Sequence, residues 1–231
     1  MGADPGRRVS LIDPSLFKGG GEAEAEGGAG RPFGAYANTA APSGVGFKDL
    51  RRQTIVTIVL LALATVANLA FVVSGGLLDP ESEAYGLASL GYLVFAAIGF
   101  VGMMVWFYRA TRNARAISNG LQTTPGWAVG YFFIPILSLF RPYRTMSEIW
   151  RSAITPLTWK SQNDPITLRL WWGGWLLGAI AGSIASGVEG TSGPITWAAT
   201  LIGAAADILF CVLAWRIAEA QVVNRDQSVF D

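Results

Sequence analysis

Residues 124–144 read TPGWAVGYFFIPILSLFRPYR, and whether they cross a bilayer decides the fold. The apolar run inside them, Gly126–Phe140, carries no charge but is interrupted by Pro135. As helix it would rise about 22 Å, against about 30 Å of hydrocarbon in a typical bilayer. Proline also removes a backbone donor and breaks a regular helix. The run is too short to span, so its neighbours decide how the chain returns.

Those neighbours are membrane-like. The chain is 52% hydrophobic and 14% charged, and its mean hydropathy is +0.40; soluble domains carry about 25% charged residues. Four apolar runs have spanning length: 55–74, 86–108, 168–187 and 196–215. In lipid a lone segment satisfies its backbone only as a helix. The sequence therefore predicts an all-α membrane protein with four transmembrane helices. The first run starts at Ile55, too deep for a cleaved leader, and is expected to act as an uncleaved anchor.

All 17 Lys and Arg fall on one side of that arrangement. The loops at 75–85 and 188–195 hold Asp79, Glu81, Glu83 and Glu189 and no cation. The positive-inside rule then places both termini and the long middle region in the cytoplasm. The short run must enter and leave on that same face, as a re-entrant or interfacial segment over 126–140, turning around Pro125, Gly126, Trp127, Pro135 and Pro142.

The stretch after it, 141–154, reads as a cytoplasmic amphipathic helix. Tyr143, Met146, Trp150 and Ala153 share one face, and Arg141, Arg144, Glu148 and Arg151 the other. Such a helix either lies on an anionic leaflet or caps the mouth of the bundle. Residues 1–47, rich in Gly, Ala and Pro, are expected to form a disordered cytoplasmic tail. The membrane domain then covers 48–220, and 221–231 forms a C-terminal tail.

Within this frame stand Trp106, Arg109, Ala110 and Asn113, then PGWAVG at 125–130, FIPI at 133–136, RPY at 141–143, and Glu148 with Trp150. The combination resembles a bacterial multi-pass membrane family catalogued as domain of unknown function 4328. The resemblance implies a bacterial inner-membrane protein and brings no activity with it. Tyr131-Phe132 departs from the Trp-Trp often seen there, and the N-terminal tail lacks the cysteines of a zinc module.

There is no His and one cysteine, Cys211, which excludes His-based catalysis, His or Cys-pair metal sites and an intrachain disulfide. No catalytic set, cofactor or metal site is expected. Asp207 is the sharpest singleton, an acid midway along the fourth run, with Asn68 its candidate partner at similar depth. It is either a proton or cation site or a hydrogen-bonded packing residue. Small residues recur at Gly174, Gly178, Gly182 and Ser186, and Gly203 falls on the Asp207 stripe, as in close helix packing within the chain or at a dimer seam. Arg109, Arg112 and Asn113 either set topology or hold loop carbonyls, with Glu148 a further partner.

The expected function is non-enzymatic: structural, assembly or regulatory, engaging lipid headgroups or a membrane partner through the re-entrant segment and basic helix. The alternative is a small oligomeric transporter or channel with an intramembrane acidic site. Expected partners are the lipid bilayer, anionic headgroups and a second copy or another membrane protein, with no nucleic acid.

Overall fold

The computed structural model describes residues 49–188 and 192–227, with side chains to residue 223. The tail expected over 1–47 lies outside the described residues. Within them the helices are α1 (Leu50–Leu77), α2 (Glu83–Ile117), α3 (Pro125–Gly130), α4 (Arg141–Ile154), α5 (Ile166–Val188) and α6 (Pro194–Gln227), with no strand.

Three of these, α1, α2 and α6, are long and apolar enough to cross a membrane. The fourth expected span corresponds to α5, whose 23 residues suffice in length. Its run intersperses Trp171, Trp172, Trp175 and glycines among the aliphatic residues. Caps start the first two helices. The Asp49 carboxylate accepts from the Arg51 N–H at 2.9 Å, and the Ser82 hydroxyl from the Tyr85 N–H at 3.2 Å, with Glu83 in the first turn. Both α2 and α6 outrun the predicted spans, α2 to Ile117 and α6 through residues expected as tail to Gln227. Beyond the apolar run, Arg, Ala, Glu and Gln are good helix formers, and nothing there stops the helix.

α1 pairs with α2, α5 with α6, and the two pairs join through α1 and α6. Glycine sets both close approaches. A methyl group at Gly99 would stand 3.1 Å from the Ala64 Cβ, and one at Gly102 would stand 2.9 Å from the Leu60 Cδ1. The Thr57 hydroxyl donates across that seam to the Gly102 carbonyl at 3.2 Å. In the other pair, Gly174 faces Ala206, and Gly178 faces the Gly203 backbone.

One end of the bundle is densely packed. Trp106, Phe107, Trp171 and Phe210 meet ring to ring at 5.3 to 6.3 Å. Against them α4 buries Met146, Ile149, Trp150 and Ala153. Its apolar face is thus spent on α2, α5 and α6, so this helix caps the bundle rather than offering that face to a leaflet.

The 126–140 run is α3 followed by single helical turns at Tyr131–Phe133 and Leu137–Leu139. The Thr124 hydroxyl caps α3 and Pro125 occupies its first turn. Ser138 donates to the Pro135 carbonyl at 2.7 Å, and Trp172 Nε1 to the Leu139 carbonyl at 3.0 Å. These bonds satisfy carbonyls that a broken helix leaves bare. The rings of Phe132 and Phe133 lie edge-on to Phe100 at 6.1 Å, which stands about 13 Å along α2 from Arg109.

Candidate functional site

Away from the packed end, the four long helices surround a cavity of about 650 Å³. It runs from the level of Met103 and Asp207 to that of Tyr92, Ser186 and Thr196, near the α1–α2 and α5–α6 connections. Among the described residues, Asp207 is the one charged side chain that lines it. The Thr65 hydroxyl, on α1, donates to Asp207 Oδ2 at 2.8 Å. The expected partner Asn68 lies nearly one turn further along α1 and lines the same cavity, but its side chain bonds neither Asp207 nor any other described residue. Thr65 was missed because a threonine in a helix ordinarily bonds its own backbone, as Thr54 does to the Leu50 carbonyl at 2.9 Å.

The glycine row of α5 divides between two environments. Gly174 and Gly178 touch α6, whereas Gly182 has room for a methyl group with nothing within 4 Å of it and, with Ser186, lines the cavity. Gly203 lines it too and supplies backbone against Gly178. Aromatic walls complete it. Phe71 and Tyr92 stack at 5.3 Å, and Phe100 and Trp175 lie deeper. A lone carboxylate among hydroxyls, an amide and ring faces can neutralise a single positive charge.

At the packed end the basic residues are mostly engaged. Arg109 donates to Gln53 Oε1 at 2.8 Å, so it holds α1 and not the loop carbonyls that were one of its two expected roles. Asn113 donates to Gln221 at 3.2 Å, and Gln221 to the Ala110 carbonyl at 3.2 Å. The loop is held by Arg115 instead, which donates to the carbonyls of Leu121 at 3.0 Å and Thr123 at 3.2 Å. Arg115 lies one turn beyond the face singled out in sequence, and only the chain reversal at Gly120 (φ +79°) brings the loop back to it. Glu148 accepts from the Thr123 N–H at 3.1 Å and makes no pair with Arg109. Arg112 lines a small pocket with Tyr108 and Arg109. Arg141 lies over the Tyr131 ring at 5.2 Å, Trp127 stacks on that ring at 5.3 Å, and Arg144 is exposed.

Sequence reading also passed over Asp164. Its side chain, 8% exposed, pairs with Arg151 Nε at 2.8 Å and accepts from the hydroxyls of Tyr143 and Ser147. Burial pushes its pKa up, but the bonds from Arg151, Ser147 and Tyr143 outweigh that and hold it below the ordinary carboxylate value. Burial and the neighbouring Asp164 raise the Tyr143 phenol. This cluster pins the loop before α5 onto α4.

The family model described as Domain of unknown function (DUF4328) matches residues 72–226. No curated protein and no solved structure matches the chain.

Proposed function

We propose that this chain, which belongs to the family described as Domain of unknown function (DUF4328), binds a small monovalent cation within the membrane and is of carrier or receptor type. The observation that carries this is Asp207, an acid without a cationic neighbour in the wall of a cavity of about 650 Å³. An acid at mid-span costs roughly 2.5 to 3.5 kcal/mol on insertion scales. A proton or a bound cation removes that cost. Divalent ions draw on about six or more oxygen ligands, commonly several of them carboxylates. A single carboxylate flanked by Thr65, Asn68 and aromatic rings suits one positive charge, such as a protonated amine.

The proposal has four crossings, α1, α2, α5 and α6, and no catalytic step. The glycine contacts of α5 along α6 support its inclusion, since both helices then share one environment. A re-entrant 126–140 segment is supported by the Phe100 contacts and the Trp172 bond, with the run of cations favouring cytoplasmic termini in a bacterial inner membrane. A second reading, attachment to headgroups or a membrane partner through this segment and α4, is favoured by the exposure of Arg144, Trp127, Phe133, Ile136 and Phe140.

Thermal-shift titration of the purified full chain with methylammonium, sodium and magnesium chlorides, at matched ionic strength, separates the two. Methylammonium is expected to raise the wild-type midpoint and to leave Asp207→Asn unmoved, while magnesium acts on neither. Equal responses of the two proteins would discard the cation site. Anionic vesicles that stabilise both proteins alike would favour the headgroup reading.

A further inference from the structure

Asp207 has a second side. Beyond the α1–α6 seam lies a groove of about 580 Å³, and Leu61, Thr65, Ala204 and Asp207 line both it and the cavity. Those four residues, two on α1 and two on α6, are where the two spaces meet. Ile58, Ala62, Val66, Ile208, Cys211 and Val212 line the rest of the groove towards Trp215, with Arg216 the charged residue at that end. Ile208 is 64% exposed and Val66 62%, so its open side faces the surroundings of the bundle.

We infer that the ligand of the cavity is an amphiphilic cation, its charged head on Asp207 and its alkyl tail laid in the α1–α6 groove. This rests on the cation-binding role proposed above and specifies its substrate class. A small hydrophilic cation would need only the polar side of Asp207. An anionic amphiphile would have to turn its head to Arg216 and lay its tail against the carboxylate, and a hydrocarbon chain alone would leave the carboxylate with Thr65 as its one partner among the described residues. A positive head with an apolar tail satisfies both faces at once. From Asp207 to Trp215 the groove follows about 12 Å of helix, the length of an extended alkyl chain of about ten carbons.

The test titrates the full-length protein in nanodiscs with methyl-, butyl-, octyl- and decylammonium, scored against the free aqueous concentration of each amine. Decyl sulfate serves as the anionic control. Affinity is expected to climb along the series to at least about tenfold for decylammonium over methylammonium, well within a rise of up to about fourfold per methylene. Ala62→Trp fills the groove and is expected to reduce that ratio towards one. A flat series, or a ratio that survives Ala62→Trp, overturns the tail site while leaving methylammonium binding, and so the cavity role, standing. Equal binding of decyl sulfate overturns it as well, since the groove would then take any lipid-like chain. If no amine binds, both proposals fall.

Discussion

A methyl group added at Gly99 would press on the Ala64 Cβ at 3.1 Å and the Leu60 carbonyl at 3.4 Å, rigid atoms of the facing helix. Gly99→Ala is therefore expected to cost about 1 to 3 kcal/mol as overpacking at the α1–α2 seam, read as a lower thermal midpoint in detergent. Gly102→Ala meets only the mobile end of Leu60 and should cost less. Gly182→Ala has open space around it and is expected to leave the midpoint unchanged or raised slightly, since alanine favours helix over glycine. The fourfold glycine spacing on α5 was legible as a packing stripe. Its division was not, because a periodic pattern does not say where the facing helix stops touching it. The same holds for Asp207: its depth could be read off the run, but its Thr65 partner is 142 positions away.

The loop between α2 and α4 depends on one guanidinium with two acceptors. Both bonds leave its Nη1 nitrogen for the Leu121 and Thr123 carbonyls, so Arg115→Ala, which removes both, is expected to cost about 1 to 3 kcal/mol. Arg109 makes a single side-chain bond to Gln53, which lysine can reproduce, so Arg109→Lys is expected to be nearly silent in the same melting assay. The α4–α5 connection is set by Asp164, and its pH response has a definite sign. A carboxylate held below its ordinary value stabilises the fold above that value and loses the contribution as pH falls through the lowered one. Acidification through and below the ordinary carboxylate range should thus lower the wild-type midpoint more than that of Asp164→Asn. Parallel pH profiles would show that the cluster contributes no such linkage. Amphipathic spacing identified α4 correctly as a two-faced helix. Whether lipid or protein covered its apolar face depended on α2, α5 and α6, which lie far from it in the chain.

The paired arrangement of α1–α2 and α5–α6 makes a sidedness test direct. In a Cys211→Ser background, single cysteines at Ser82 and Ser192, in the two connections, are expected to react with an impermeant maleimide in intact cells. Cysteines at Phe133 and Leu157 should react only after the membrane is opened. Labelling of Phe133→Cys from outside would mean that the 126–140 run crosses. Hydropathy, the charge asymmetry and the Pro135 break are sums over neighbouring residues, so the helical class, the long apolar helices and the interruption of 126–140 could be read from the chain alone. The cavity is a void bounded by four helices. Its floor pairs Asp207 with Thr65, four residues of α1 and α6 line both it and the outer groove, and the packed end is closed by α4. These followed from the packing in three dimensions, because no local sum records which faces of distant helices turn toward one another or how far apart they stand.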